Sequence, residues 1–215
     1  MIDLAPAIFA VFVGMACGFA CATARQAGES DDFRSFRRAL KLSDARGRQA
    51  LPFLGGFVFG VGLHLLYLNP RFPAPTIPIF LCLLFFLAAA DWRTCLVPTW
   101  AAAATFVYGV LFVAENPMSA ALLGIFLFLL FYVYFFTCEK LGLNPGFGFG
   151  DVLPVCAVFA AFGPSFAVVA AGLAALGPLL LLVFRRPAPY VPFLYVSVTI
   201  SLATPLYGAK TPFFI

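Results

Sequence analysis

Two aspartates lie where apolar segments of the chain meet polar ones. Asp91 ends the apolar run in FFLAAADWRTCLVPTW, and Asp151 begins another in GFGFGDVLP. An unpaired carboxylate at such a place is costly unless it is protonated, solvated or paired. Two carboxylates held close together share one proton, because the first charge suppresses the second ionisation. One can then polarise a water molecule while the other donates a proton to a carbonyl oxygen, which is the chemistry of peptide-bond hydrolysis.

Each aspartate also has a simpler explanation to be weighed. Aspartate commonly caps the N-terminus of a helix, which accounts for Asp151 without catalysis. Asp91 lacks that explanation, because a negative charge at the C-terminal end of a helix opposes the helix dipole. Gly146, Gly148 and Gly150 alternate with aromatic residues before Asp151. Such glycines allow positive φ and close backbone approach, which a site that accepts an unwound substrate strand requires.

The elements that position these residues must be membrane helices. The chain is 63% hydrophobic and 10% charged, with a mean hydropathy of +1.03. A soluble domain of this length needs far more polar surface. Runs such as LLGIFLFLLFYVYFF lack the alternation of a β-barrel strand. The sequence therefore predicts an all-α, polytopic membrane helix bundle, formed by residues 1–215 as a single domain of about eight transmembrane segments.

Hydropathy in a window of about 19 residues locates these segments. They cover residues 4–24, 51–68, 74–90, 97–114, 117–137, 152–163, 165–184 and 189–207. The first begins without a basic region, so we interpret it as a retained helix and not as a signal peptide. Segment 152–163 is too short to cross a hydrocarbon core of roughly 30 Å. Because Gly163 and Pro164 separate it from the next segment, we expect a half-span or a tilted helix.

Basic residues predict the orientation. If residue 1 faces outward, eleven of the thirteen basic residues fall in inner loops, and only Arg71 and Lys210 lie outside. The positive-inside rule favours this arrangement, which places Asp91 and Asp151 on the cytoplasmic side. The net charge of +4 is therefore a topological signal, and we expect no nucleic-acid partner.

Residues 25–50 form the longest polar segment, predicted as a cytoplasmic loop. Within it, DDFRSFRRALKL can form an amphipathic helix with Phe33, Phe36 and Leu40 on one side and arginines on the other. We favour the simpler interpretation, a solvated loop that fixes topology and contacts anionic membrane lipid. The alternative is a docking surface for a protein partner.

The cysteines and the single histidine add little chemistry. The six cysteines form no CxxC pair: Cys17, Cys21, Cys82, Cys95, Cys138 and Cys156. We expect them to serve packing, with no metal site, disulfide framework or cofactor. His64 lies inside the second apolar segment with no second metal ligand nearby in sequence. Packing or an interhelix hydrogen bond is the preferred interpretation, and catalysis is the alternative.

Three motifs carry a resemblance to a known family. GFGFGDV resembles the GxGxGD signature of the bacterial type IV prepilin peptidases, which are intramembrane GxGD aspartyl proteases. DWRTCLVP resembles the first aspartate motif of that family, and YVPFLYVSVTISL resembles its last span. The similarity covers about residues 75–207, in the order and spacing of the family, and this range is predicted as the peptidase core.

The resemblance implies a function and a set of site residues. Asp91 and Asp151 would be the catalytic pair. Five further positions belong to the motifs or would contact substrate: Gly146, Gly148, Phe149, Gly150 and Pro98. The family cleaves the short basic leader of pilin-like precursors just after a glycine, at the cytoplasmic face of the inner membrane. The expected partners are accordingly such a precursor and membrane lipid.

The chain departs from the family pattern in three places. Leu153 stands where the family usually has lysine, and Thr99 where asparagine often follows the proline. Full-length members also carry a zinc-binding cytoplasmic insertion with two CxxC pairs, and they methylate the new N-terminus. Here the corresponding 26 residues contain no cysteine. A shortened, peptidase-only member is therefore expected.

Two other functions remain open from the residues alone. An ion-coupled membrane transporter could relay protons through paired aspartates. However, transport sites usually lie near the bilayer midplane on related halves, whereas these aspartates lie near one face and the halves show no repeat. An inactive membrane scaffold would need neither aspartate.

Overall fold

The structure is a computed structural model that describes residues 5–30, 32–42, 46–67, 76–143, 148–183 and 189–203. These residues form α1 (Ala5–Gly28), α2 (Phe33–Leu42), α3 (Arg46–Tyr67), α4 (Thr76–Thr94), α5 (Thr99–Tyr108), α6 (Pro117–Lys140), α7 (Val152–Val183) and α8 (Val191–Ala203). A π-helical turn, Gly109–Val113, continues α5, and a 3-10 turn, Phe149–Asp151, precedes α7. The part of the chain described contains eight α-helices and no strand, so the predicted all-α fold is confirmed.

Four of these helices are long and apolar enough to cross a membrane. They are α1, α4, α6 and α7, counted over Ala7–Gly28, Thr76–Thr94, Pro117–Lys140 and Val152–Pro178. Shorter apolar helices lie in α3, in α5 with its π-helical turn, and in α8. The chain is therefore a multi-pass membrane protein.

The predicted segments 152–163 and 165–184 together form α7. The helix is broken between them at Gly163, whose φ of 77° and ψ of 169° are not helical. Glycine tolerates this positive φ, and Pro164 cannot donate a backbone hydrogen bond across the break. The expected boundary at Gly163 is thus where the helix changes direction.

The polar segment contains an amphipathic helix, α2, which its residue pattern allowed. Asp32 caps it, since its Oδ1 accepts a hydrogen bond from the Ser35 N–H at 2.6 Å. Phe36 is buried and stacks on Trp100, with ring centroids 5.1 Å apart. It also contacts the Phe86 ring at 6.1 Å. The exposed side of α2 carries Arg34, Arg37 and Arg38. This segment therefore has a face packed on α4 and α5 in addition to its solvated basic face.

Glycines allow α1 and α3 to pack closely. Gly14 and Gly18 of α1 meet Gly56 and Gly60 of α3. A Cβ on Gly60 would lie only 2.7 Å from the Val13 carbonyl oxygen, and a Cβ on Gly14 only 2.9 Å from the carbonyl oxygen of Phe57. Small residues four apart on both helices are the usual means of close helix contact in membranes. This pair also packs on α4, so it supports the helix that carries Asp91.

The main core lies between α4, α5, α7 and α8. It is filled by fully buried apolar side chains, including Phe80, Leu84, Val158 and Leu194. Four residues separate the end of α4 at Thr94 from the start of α5 at Thr99. Val191 at the start of α8 donates a hydrogen bond to Asp91 of α4, and Gly150 just before α7 approaches Val97 of the α4–α5 connection. The end of α4 and the starts of α5, α7 and α8 therefore meet at one end of the bundle, which is called the site end below.

Candidate active site

Asp91 lies in the last turn of α4 and is only 3% exposed. Its Oδ2 accepts a hydrogen bond at 3.0 Å from the backbone N–H of Val191, the first residue of α8. The first N–H groups of a helix have no partner within it, and the helix dipole there favours a negative charge. Asp91 therefore caps α8 from another helix. The position of Asp91, which is unfavourable at the C-terminal end of α4, is thus explained by the start of α8 that it caps.

Asp151 ends the 3-10 turn just before α7. Its Oδ2 accepts a hydrogen bond from the Gly148 N–H at 3.1 Å, and its own N–H donates to the Gly148 carbonyl oxygen at 3.1 Å. The side chain thus closes the turn that precedes it, instead of capping α7 as sequence position alone allowed. Burial raises the pKa of Asp151 above its usual range, and the Gly148 hydrogen bond offsets part of that increase.

The two carboxyl groups share one region with two further polar side chains. A negative charge on Asp151 repels a negative charge on Asp91. The pKa of the Cys95 thiol is raised mainly by burial and, to a smaller extent, by the negative charges of Asp91 and Asp151. Burial and the charge of Asp151 raise the pKa of Tyr190 to about 12. A second negative charge is therefore disfavoured here, which is the condition under which two carboxyls share a proton.

A cavity of about 300 Å³ opens beside Asp151. It is lined by Cys95, Leu96, Val97, Thr99, Ala102, Gly148, Gly150, Asp151 and Leu153. These residues come from the α4–α5 connection, the first turn of α5, the turn leading into α7, and the first turn of α7. A Cβ on Gly150 would lie 3.2 Å from the Val97 Cβ, so glycine permits the two connections to approach this closely. One catalytic candidate thus faces a space that a substrate can enter.

A comparison with protein families adds independent information. The family model described as the type IV leader peptidase family matches residues 78–204. The chain belongs to the type IV leader peptidase family. No curated protein and no solved structure matches it. The matched residues include both aspartates and the whole cavity lining, and the family resemblance predicted from the three motifs is confirmed.

Two departures from the pattern of the leader peptidases fall in the cavity wall. Thr99 and Leu153 both line it, and none of the lining residues is basic. Pro98 is fully buried and does not line the cavity. Its carbonyl oxygen accepts hydrogen bonds from the N–H groups of Ala101 and Ala102, at 3.1 Å and 3.0 Å. Pro98 therefore fixes the start of α5 and positions the cavity wall indirectly.

The predicted site residues are brought together at the site end to different degrees. Asp151, Gly148 and Gly150 line the cavity there, and Asp91 interacts electrostatically with Asp151. Phe149 lies in the 3-10 turn between the two glycines. Gly146 lies outside the described residues.

Sequence reasoning missed three contributors. They are the backbone N–H of Val191, the Tyr190 side chain, and Cys95 beside the two carboxylates. Tyr190 donates a hydrogen bond from its hydroxyl to the Ala171 carbonyl oxygen of α7 at 3.2 Å. The stretch YVPF that opens the last span was the available signal for the first two, and no signal identified Cys95.

His64 lies away from this site. It is buried against Phe9, with ring centroids 4.9 Å apart, near the end of α3 that is farthest from Arg46. Gly28 at the end of α1 contacts Thr94, so α1 and α4 end together at the site end, and Phe9 lies toward the other end of α1. α4 spans about 22 Å between Thr76 and Asp91 at 1.5 Å per residue. This location supports the interpretation of His64 as a packing residue.

Proposed function

We propose that this leader peptidase family member is a membrane-embedded aspartic endopeptidase. It removes the basic leader peptide of type IV prepilins or pilin-like secretion subunits at the cytoplasmic face of the bacterial inner membrane. The observation that carries the proposal is a partly buried Asp151 that lines a cavity and acts electrostatically on the buried Asp91. Membership of a leader peptidase family supports the reaction class.

In the proposed reaction the two aspartates act as a pair that holds one proton. The ionised member accepts a proton from a water molecule, whose oxygen attacks the carbonyl carbon of the scissile peptide. The protonated member donates its proton to the carbonyl oxygen. Collapse of the tetrahedral intermediate returns a proton to the leaving amine, so the enzyme forms no covalent intermediate and needs no cofactor.

The glycine turn supports a peptide substrate. Gly148 is exposed, and a Cβ placed on it would come no closer than 3.5 Å to an Asp151 carboxylate oxygen. The backbone next to Asp151 is therefore open to an approaching strand. A substrate helix has to unwind locally before its peptide groups become available, and an exposed glycine backbone gives the unwound strand room.

The site end also fits the proposed orientation. α2 packs there through Phe36 and Trp100, and it presents Arg34, Arg37 and Arg38 outward. Arginines at a membrane surface mark the cytoplasmic side and favour contact with anionic lipid headgroups. The partners we propose are thus a pilin-like precursor and membrane lipid, with no nucleic acid.

Cleavage of a co-expressed precursor tests the proposal. Asp91→Asn and Asp151→Asn should each abolish the leader-sized mobility shift on a gel, because an amide cannot cycle between acid and base. The double variant should be no less active than either single variant, since residues that act as one unit fail together. Asp32→Asn, at the exposed cap of α2, is the matched control and should cleave normally.

Two results would contradict the proposal. Efficient cleavage by either asparagine variant at the site would exclude the aspartic mechanism. An aspartate-dependent ion flux in the absence of any cleavage would support a transporter instead.

Mass spectrometry of the mature substrate should further find an unmethylated N-terminus, and a methyl group that depends on this chain would refute the peptidase-only assignment.

A further inference from the structure

Tyr190 lies directly before α8 and links three parts of the site end. Its backbone N–H interacts with the Asp91 carboxyl, next to the Val191 N–H that donates to the same group. Its side chain lies close enough to Asp151 to feel that charge, which adds to burial in raising the pKa of Tyr190. Its hydroxyl donates a hydrogen bond to the Ala171 carbonyl oxygen of α7 at 3.2 Å. One residue therefore connects both catalytic candidates to α7.

We propose that Tyr190 is a positioning residue, whose hydroxyl bond to α7 fixes the start of α8 so that the N–H groups there hold Asp91 beside Asp151. The inference rests on the proposed function, in which the two aspartates act as a pair. It gives Tyr190 no part in proton transfer. The hydroxyl already donates to a carbonyl oxygen, and a phenol with a pKa of about 12 stays protonated during the reaction.

The N-terminus of α8 explains why this hydroxyl matters. Tyr190 occupies the N-cap position, since its carbonyl oxygen accepts hydrogen bonds from the N–H groups of Phe193 and Leu194, both at 3.1 Å. A tyrosine side chain cannot turn back to the N–H groups of the first turn as serine or aspartate does at this position. Asp91 takes that role from α4, and the tyrosine side chain extends to α7 instead. Loss of the hydroxyl would therefore release the residue that precedes Val191.

A second hydroxyl attaches α8 to α7 at a greater distance from the aspartates. Seven residues after Tyr190, the Ser197 hydroxyl donates to the Ala170 carbonyl oxygen at 2.7 Å. Seven residues are about two helical turns, so both hydroxyls extend from the side of α8 that faces α7. Ser197 lies about 9 Å farther along the helix than Val191. The two bonds are alike in chemistry, but only that of Tyr190 adjoins the group that holds Asp91.

Ionisation of the aspartate pair should reveal this positioning role. Cys95 and Tyr190 are the other titratable groups found to interact with the two aspartates within the described segments. Burial and the aspartate charges raise the pKa of both groups, so both stay neutral below about pH 8. N–H groups directed at a carboxyl favour its ionised form, so moving the start of α8 away should make the pair ionise at a higher pH.

Tyr190→Phe tests the proposal in the purified full chain, with a pilin-like precursor as substrate. At neutral pH it should lower kcat by at least about tenfold, because misplacing a catalytic group by about 1 Å can cost on the order of 100-fold. KM should stay close to wild type, since the substitution removes no contact with substrate. The pH profile of kcat/KM should move to higher pH by about 0.5 unit, since two or three N–H bonds lower the pKa of a carboxylate by roughly 2 units.

Matched controls separate positioning from general loosening. Ser197→Ala removes the similar buried bond between α8 and α7, and Tyr132→Phe removes a hydroxyl from an exposed position of α6. Ser197→Ala should lower Tm but keep the wild-type pH profile, because loosening far from the aspartates does not change how they ionise. Tyr132→Phe should match wild type in both measurements.

Failure of this inference and failure of the proposed function give different results. Wild-type kcat and pH profile in Tyr190→Phe would overturn the inference, and so would an equal shift of the profile in Ser197→Ala. A raised KM with unchanged kcat would make Tyr190 a substrate contact, and loss of cleavage at every pH would make it a catalytic residue; either result overturns the positioning role. If wild type does not cleave the precursor, or if Asp151→Asn does, the proposed function fails and the inference with it.

Discussion

Asp91 should contribute separately to stability and to catalysis, and two substitutions separate these roles. Its Oδ2 accepts the Val191 N–H at 3.0 Å in a buried position. Asp91→Asn keeps a side-chain carbonyl oxygen that can accept this hydrogen bond, whereas Asp91→Ala removes the acceptor. Both remove the carboxyl group. We therefore expect both variants to be inactive but only the alanine variant to be clearly destabilised.

The size of the expected loss of stability follows from the Val191 N–H, which is the group that loses its acceptor. A buried N–H without an acceptor costs about 1–3 kcal/mol, which is the expected loss for Asp91→Ala. Asp91→Asn loses the favourable interaction of a charge with the start of α8, about 0.3–1 kcal/mol, but it also removes the cost of burying a charge. Its net change in the free energy of unfolding should be about 1 kcal/mol or less. Asp151→Ala should also cause only a small loss of stability. The Gly148 N–H, which loses its acceptor in this variant, belongs to an exposed residue and can bond to water.

Thermal unfolding in detergent and precursor cleavage are measured on the same samples. In a chain of this size, 1 kcal/mol shifts Tm by about 2–4 °C, so Asp91→Ala should unfold at least about 2 °C below wild type. Asp91→Asn should unfold at a temperature between those of Asp91→Ala and wild type and show no cleavage. A wild-type Tm for Asp91→Ala would refute the capping of α8 by Asp91. Cleavage by Asp91→Asn would refute its part in catalysis.

Three further predictions concern packing, pH and topology. Gly60→Ala should destabilise the protein by about 1–3 kcal/mol, because the new Cβ overlaps Val13 of α1. Gly62→Ala, where nothing lies within 4 Å, should be neutral or stabilising in the same thermal assay, and equal effects would contradict the close contact of α1 and α3. Since burial raises the pKa of Asp151 above its usual 3.8, its contribution to stability should be fully present below that pH and be lost as pH rises through the raised pKa. When the free energy of unfolding is measured against pH, Asp151→Asn should not show this loss of stability. A pH profile identical to that of wild type would refute the raised pKa of Asp151. Labelling of introduced cysteines should place residues 25–50 in the cytoplasm, and labelling from the outside would reverse the proposed orientation.

Much of the fold follows from local sequence. Each apolar segment predicted from hydropathy falls in a helix over most of its described residues, two of them sharing α7, and the break at Gly163 lies at the predicted boundary between those two. The amphipathic pattern of residues 31–42 likewise allowed the helix α2, although a solvated loop was the favoured interpretation of that segment. These features depend on the polarity and conformational preferences of residues close together in the chain, so a single sequence contains the information.

The partner of each helix was not predictable in the same way. Phe36 was assigned to an apolar face, but its contact with Trp100 joins residues far apart in sequence. The close packing of α1 and α3 depends on which face of each helix carries its two glycines and on which helix lies opposite. Apolar residues are abundant on all sides of membrane helices, so hydropathy does not identify the packed face.

The sequence by itself determined that two aspartates stand at the ends of apolar helices beside a glycine turn, because helix ends and turns are encoded by neighbouring residues. Only the tertiary structure decided how these carboxyls are held. Asp91 accepts a hydrogen bond from the N–H of Val191, a residue 100 positions away. Asp151 lines a cavity whose wall is formed by the α4–α5 connection, α5 and α7. Hydrogen bonds and cavities of this kind arise when distant helices pack against one another, and that packing is a property of the whole bundle.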